Sequence, residues 1–600
     1  MTITIIANPG PFKSIAVAAE SEALVNFWDM DQADDDACTE SFAATELAYY
    51  LALASTTTKE ELELAWPERL PQEGYVFVIG SRASNPLLAL ADEPDALPPV
   101  FESAQSYRIK LLSRGKATYC LIEGGGREGA LYGAYRYLEL LGMRWFGLGE
   151  QGTVYPARPQ ALPTQPLELT EEPGYLTRGF YACEDRGNRD FFLWMARNRM
   201  NYWTAADSDV PFLKKLGMKL AIGTHDLQTR YLNPKAEYPY STGAATDGAK
   251  PPEPYQPSPE SQGDTNGDGK LTYFEAHPEW YGLRGGKRSD KIQGDQGDNF
   301  CTSNPDAVTE LTKNLVEGLT KGDWNKSDIV NFWMEDAGKW CECGQCGSLG
   351  TPTDRLLLLL YQVNQGVQQA QMDGRLQREV AFSTLAYTET RQPPSKPLPA
   401  DFDYEHCSVT FYPIGRCYTH MLADPTCTEF NKHYADAFRG WAPASGGAWQ
   451  GSLFLGEYYN VSVYKSLPAL YWRTMALDIP WYWEQGARHF HYMHTLTSKW
   501  GTWTLNQYLL ARLLWAPYAD VPGILDEYFA QYYPTTTVET RRFYTELEGA
   551  LVAITPLKGT LARRLNTDQT PFPLDHMHYE EYHPAQNDGP DFLELLDSLE

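Results

Sequence analysis

Asp328-Ile-Val-Asn-Phe-Trp-Met-Glu-Asp336 reads as a buried strand that stops at two adjacent carboxylates. Its apolar run is short, which suits a strand covered on both faces. Paired acids where a strand stops are a common way to build an acid/base site. A cysteine cluster follows at once, Trp340-Cys341-Glu342-Cys343-Gly-Gln-Cys346. To either side, from about 175 to 500, strand-like and helix-like segments alternate. The expected strands are 178–182, 201–205, 219–225, 329–334, 380–387, 408–412, 452–457 and 489–493. Helical patterns lie between most of them, for example 189–200, 305–319 and 354–371. Alternation on this scale predicts an α/β chain built on a (β/α)8 TIM-type barrel.

The flanks read differently. Residues 1–165 are expected to form a small α/β domain, with helical periodicity at 43–51 and short strands at 75–79, 107–111 and 118–122. Gly124-Gly-Gly-Arg then opens an amphipathic helix that ends just before Gly142. The pattern is neither a P-loop nor a complete dinucleotide fingerprint, so a packing turn is the reading. A proline-rich linker at 155–163 closes the domain, the barrel takes 166–500, and 501–600 reads as a C-terminal helical region with a polar end.

Composition narrows the partners. A chain of 600 residues exceeds one core. Its net charge of −28 repels phosphate backbones, which argues against nucleic acid and anionic membrane. The 38 tyrosines and 17 tryptophans lean toward stacking on sugar rings, a carbohydrate partner. No apolar run is long enough to span a bilayer. Met1-Thr-Ile-Thr-Ile-Ile-Ala has no basic start and no long apolar core, so it is not a signal peptide. An exported protein whose signal lies outside this chain is favoured over a cytoplasmic one.

Asp264-Thr-Asn-Gly-Asp-Gly-Lys-Leu-Thr-Tyr-Phe-Glu275, inserted in the barrel, fits a calcium loop at every diagnostic position. Asp264, Asn266 and Asp268 take positions one, three and five, Gly269 the turn, Lys270 the backbone carbonyl and Glu275 the bidentate twelfth place. A single structural Ca2+ that staples a long barrel loop is expected. For the cysteines, disulfides and packed thiols rank level, with Zn2+ held by Cys341, Cys343, Cys346 and Cys301 third. Cys417–Cys427 is a further disulfide candidate.

The run from Gly126 to Phe146, Gly-Arg-Glu-Gly-Ala-Leu-Tyr-Gly-Ala-Tyr-Arg-Tyr-Leu-Glu-Leu-Leu-Gly-Met-Arg-Trp-Phe, resembles the domain preceding the barrel in family-20 hexosaminidases and family-67 α-glucuronidases. The middle of the chain resembles domain-of-unknown-function family 4838. The matching pieces are Trp194-Met-Ala-Arg-Asn-Arg-Met-Asn201, His277-Pro-Glu-Trp-Tyr-Gly-Leu-Arg-Gly-Gly-Lys-Arg288, Cys301-Thr-Ser-Asn-Pro305, Glu335-Asp-Ala-Gly-Lys-Trp-Cys-Glu-Cys-Gly-Gln-Cys346 and Arg416-Cys-Tyr-Thr-His420. The resemblance implies a glycoside-hydrolase-like barrel and names no substrate. The hexosaminidase comparison implies a general acid after the fourth barrel strand, in an Asp-Glu pair. Here the order is Glu335-Asp336, and the resemblance favours Asp336.

Hydrolysis needs a second carboxylate. Glu457, in Leu453-Phe-Leu-Gly-Glu-Tyr-Tyr459, is the first candidate, with Glu184 and Asp185 in reserve. His225, Trp203 and Tyr387 sit at expected strand ends and are candidates to bond or stack on a sugar, as are Arg416, His420 and Tyr458. Each has a plainer reading as a core or rim residue. The function expected is an exo-acting glycoside hydrolase. The alternatives are a non-catalytic carbohydrate-binding protein and a polysaccharide lyase using Tyr418, Arg416 and His420.

Overall fold

The structure is a computed structural model that describes residues 2–93, 97–181, 187–206, 209–240, 256–292, 297–336, 338–459, 470–493 and 500–553. Eight parallel strands close into a barrel in chain order: Thr177–Tyr181, Tyr202–Thr204, Lys219–Ile222, Ile329–Asn331, Ala381–Ala386, Cys407–Phe411, Leu453–Glu457 and Ala487–Met493. All eight expected strands are present, and the third and fourth are shorter than the apolar pattern suggests. The fourth ends at Asn331 because Trp333 N–H turns back to Asn331 O, at 3.0 Å. Glu335 and Asp336 therefore lie in the loop beyond the strand.

The chain folds as two compact units, one of 1–219, 414–434 and 457 onward, the other of 220–413 and 435–456. In the first, a six-stranded sheet runs in the order Leu62–Ala65, Ile3–Ile6, Glu73–Gly80, Lys116–Gly124, Tyr107–Arg114, Leu167–Glu171. Ile3–Ile6 pairs in parallel with both of its neighbours, and Tyr107–Arg114 pairs antiparallel with both of its own. The glycine turn is forced by close backbone approach. A Cβ on Gly124 would stand 2.2 Å from Ala130 N, and one on Gly129 2.2 Å from Ser106 O.

Buried charge ties this unit together. Glu139, on the helix Arg127–Leu140, accepts from Arg199 at 2.5 Å and from Arg512 at 2.6 Å. Arg512 belongs to the C-terminal helix Trp500–Trp515, which is followed by Val521–Tyr532 and Thr537–Ala553. Asn198 Nδ2 donates to Trp145 O at 3.0 Å, and Trp194 Nε1 to Phe146 O at 3.1 Å. Two of the runs that carry the family resemblance, 126–146 and 194–201, thus serve to pack on each other.

The second unit contains the helices Pro305–Thr320 and Pro352–Met372. Asn304 caps the first, and a Thr351/Asp354 capping box opens the second. The long connection after the third strand carries the calcium-type loop. Tyr238 N–H donates to Leu271 O at 2.7 Å, which pins that loop to its approach. Among the described residues no helix is long and apolar enough to cross a membrane.

Candidate active site

Neighbouring residues in the loop beyond the fourth strand do different work. Glu335 is buried, and its Oε2 accepts the Gly297 N–H at 2.6 Å. Its own N–H donates to Asn299 Oδ1 at 3.0 Å, and Asn299 Nδ2 donates onward to Gly338 O at 3.2 Å. Glu335 is thus spent on joining two loops. Asp336 is half-buried, and among the described residues its carboxylate takes no hydrogen bond or ion pair. Of the two it is the one available to a ligand.

An aromatic wall stands beside this loop, in the same unit. His225 is half-buried and Nδ1 lies 2.5 Å from Met334 O. A carbonyl only accepts, so Nδ1 carries the hydrogen, and Nε2 is the ring nitrogen left for a ligand. The His225 ring is 5.2 Å from Trp333 and 6.3 Å from Tyr387. Tyr412, after the sixth strand, closes the group at 5.5 Å from Trp333 and 6.1 Å from Tyr387. Thr388, next to Tyr387, has φ 40°, a costly backbone for a β-branched residue. Trp333 and Tyr412 were not singled out from sequence. Their signal was position, each standing within two residues of a strand end.

The other candidates lie in the first unit. Arg416 and Glu457 have no accessible surface. Arg416 donates to Glu457 Oε1 and Asp478 Oδ2, each at 2.7 Å, and to His420 O at 2.8 Å. Tyr482 O–H donates to Glu457 Oε1 at 2.5 Å, and Tyr459 O–H to Asp478 Oδ2 at 3.0 Å. Burial, reinforced by Asp478 and opposed by Arg416, pushes the Glu457 carboxyl up to about 7. Sequence reading passed over Asp478 and Tyr482 because both lie inside the helix Trp472–Glu484, where nothing local marks them.

Trp203 is fully buried, with its ring 4.9 Å from Phe191 and 6.1 Å from Phe192. Tyr458 is buried and His420 half-buried, with His420 Nδ1 3.5 Å from Cys417 Sγ. Glu184 and Asp185 lie outside the described residues.

In the calcium-type loop, Asp264 accepts the N–H groups of Gly267 and Gly269 at 2.6 and 2.7 Å. Those glycines have φ of 75° and 84°, values that need the absence of a side chain. Burial opposes ionisation of Glu275, but hydrogen bonds from Thr265 and Thr272 hold its carboxyl down at about 2. Oxygen donors from Asp264, Asn266, Asp268, Lys270 O and Glu275 suit a hard cation such as calcium.

Fold and sites define a (β/α)8-barrel protein with carboxylates at and beyond the ends of parallel strands. Residues 149–546 match the family described as a domain of unknown function, DUF4838, and the chain belongs to that family. No curated protein matches it. Solved structures similar to it are glycoside hydrolases. One is a family GH115 4-O-methyl-α-glucuronidase with specificity for decorated arabinogalactans, at TM-score 0.46 and 10% identity, covering 94% of this chain and 62% of that one. Another is a family 89 glycoside hydrolase from Clostridium perfringens in complex with PUGNAc, at TM-score 0.44 and 9% identity, covering 90% and 55%. A third is the GH20 β-N-acetylhexosaminidase from Streptomyces coelicolor A3(2), at TM-score 0.41 and 11% identity, covering 82% and 90%. The chain thus spans less than two thirds of the length of the first two.

Proposed function

We propose that the protein is an exo-acting glycoside hydrolase with Asp336 as its general acid. The observation that carries the reading is the division of labour in the loop beyond the fourth strand. Glu335 is consumed by Gly297, while Asp336 is left accessible next to rings that suit a sugar face. His225 Nε2 and Tyr387 are the groups proposed to hold the sugar. Glu457, which ends the seventh strand with a carboxyl raised to about 7, is proposed as the second carboxylate. Neither role needs a metal, and Ca2+ in the loop 264–275 is proposed as structural only.

The test is product analysis on a panel of oligosaccharides. A new reducing end released one unit at a time supports the reading. An unsaturated uronate would signal a lyase instead. A second reading is a carbohydrate-binding protein without turnover. It is favoured by the complete burial of Glu457 under Arg416 and Tyr482. Saturable binding with no product from any sugar that binds would select it.

A further inference from the structure

Four cysteines gather where nothing in the proposed chemistry needs them. Cys301 precedes the helix Pro305–Thr320, and Cys341, Cys343 and Cys346 follow the carboxylate loop. Their sulfurs all lie within 4.8 Å of one another. Cys301 Sγ is 3.8 Å from Cys343 Sγ and 3.8 Å from Cys346 Sγ. A disulfide holds its sulfurs about 2.0 Å apart. Four sulfurs placed tetrahedrally about 2.3 Å from one ion stand roughly 3.8 Å from each other. The spacing on the page is the second. A multinuclear iron–sulfur cluster spreads its four cysteines over two or four irons, so the four sulfurs cannot all stand this close to one another.

The surroundings fit thiolates. Leu283 N–H donates to Cys341 Sγ and Cys346 N–H to Cys343 Sγ, both at 3.3 Å. The Ser303 hydroxyl lies 3.2 Å from Cys346 Sγ. Arg284 and Arg355 bind the carbonyls of Trp340 and Cys341 at 2.7 and 3.0 Å; Arg284 is paired with Glu342 at 2.8 Å, so Arg355 supplies the positive charge beside the group. Three of the four cysteines are buried. None of the nine described cysteines is in a disulfide.

We propose that Cys301, Cys341, Cys343 and Cys346 bind one zinc ion as a closed tetrathiolate site. Each thiol gives its proton to solvent on binding and nothing is oxidised or reduced. With four protein ligands there is no open position, so the ion is structural. What it fastens is specific. The segment 283–301 and the loop 335–346 already share Glu342 N–H to Leu283 O at 2.9 Å and Asn299 N–H to Lys339 O at 3.0 Å. Zinc would lock the two together and so fix the loop that carries Asp336. The proposal goes beyond the hydrolase reading and stands whether or not the protein turns over a sugar.

The experiment is metal analysis of the purified full-length chain from zinc-supplied cells. The result expected is one zinc per chain, released in step as an organomercurial titrates the thiols. Cys341→Ser and Cys343→Ser should each weaken zinc by more than the roughly tenfold that even outer partners of a metal are worth. Cys427→Ser, in the separate Cys417–His420–Cys427 group, should keep it. If the serine variants do not fold, X-ray absorption at the zinc edge of the unmodified protein decides, and four sulfurs at about 2.3 Å are expected. A metal-free chain, iron in place of zinc, a mapped disulfide among the four, or zinc lost in Cys427→Ser but kept in Cys341→Ser would each overturn the proposal.

Discussion

Asp336 and Glu335 are consecutive in sequence, yet their side chains have opposite fates. They open a turn closed by Gly338 N–H to Glu335 O at 3.1 Å, and the Glu335 carboxylate is turned onto Gly297 N–H while Asp336 stays half-buried. Asp336→Asn should keep the melting temperature and cut turnover by about 10²–10⁴, the usual worth of a general acid. Glu335→Gln should instead lower the melting temperature, because it weakens a charge-assisted bond worth roughly 1.5–3 kcal/mol. Arg416 makes a sharper case. Arg416→Met would leave the Glu457 and Asp478 carboxylates buried without their cation. Stranding a buried charge costs about 3–5 kcal/mol, so urea unfolding should shift by that order. Glu457→Gln separates its two roles. Activity lost at constant stability supports the proposed catalytic part, and activity lost only with stability makes the residue structural. Sequence reading found both carboxylate candidates from their place near strand ends. It could not see that Glu457 is sealed, because Asp478 and Tyr482 reach it from a distant helix.

At the scale of elements, what is local in sequence was legible and what depends on distant partners was not. The residues proposed to hold calcium all lie within 264–275, so that proposal needs only a local pattern. Chelation by EDTA should lower the melting temperature, and Asp264→Ala should do the same without chelator while making EDTA ineffective; calorimetry with and without Ca2+ checks both. The four-cysteine group was ranked third for zinc because the Cys-x-Cys-x2-Cys spacing of 341–346 is not that of a standard zinc ribbon, and only folding shows Cys301 at 3.8 Å from Cys343. The eight barrel strands were legible as apolar runs, but their ends were not. Val330 and Trp333 look alike in a hydrophobic pattern, and only the turn back to Asn331 O stops the strand. Gly456, in the seventh strand, shows a constraint the pattern hides. A Cβ there would stand 1.9 Å from Tyr412 Cε1, so Gly456→Ala must displace the Tyr412 ring that packs on Trp333 and Tyr387. The variant should lose stability by the roughly 1–3 kcal/mol typical of overpacking, and any sugar affinity should fall with it; unfolding and binding titrations check the two together.

For the molecule as a whole, the alternation of strand-like and helix-like segments announced the barrel, but the strands Ile3–Ile6, Leu62–Ala65 and Leu167–Glu171 went unread. They are short and become strands only through pairing with neighbours in the six-stranded sheet. The same dependence on burial sets how stability should respond to pH. His489 and His491, on the eighth barrel strand, are buried, and burial pushes both down to about 3 from 6.5. Between those values an unfolded chain binds protons that the folded one refuses. Their contribution is therefore complete above pH 6.5 and is lost as the pH falls toward about 3. Glu457 has the opposite sign. Its folded value of about 7 exceeds the ordinary 4.5, so its contribution is complete below 4.5 and is lost as the pH rises through about 7. The two act against each other, and each should be separable by mutation. His491 stacks on Tyr202 at 5.3 Å and 14°, so His491→Phe keeps a ring in place while removing the titration. Melting temperature followed against pH should then fall less steeply on the acid side than in the parent chain, and Glu457→Gln should remove the decline that Glu457 causes as the pH rises through about 7. A Glu457→Gln chain, free of the opposing carboxyl, whose melting temperature stays level from pH 6.5 to 4.5 would mean that these histidines take up protons in the fold and are not sealed from water.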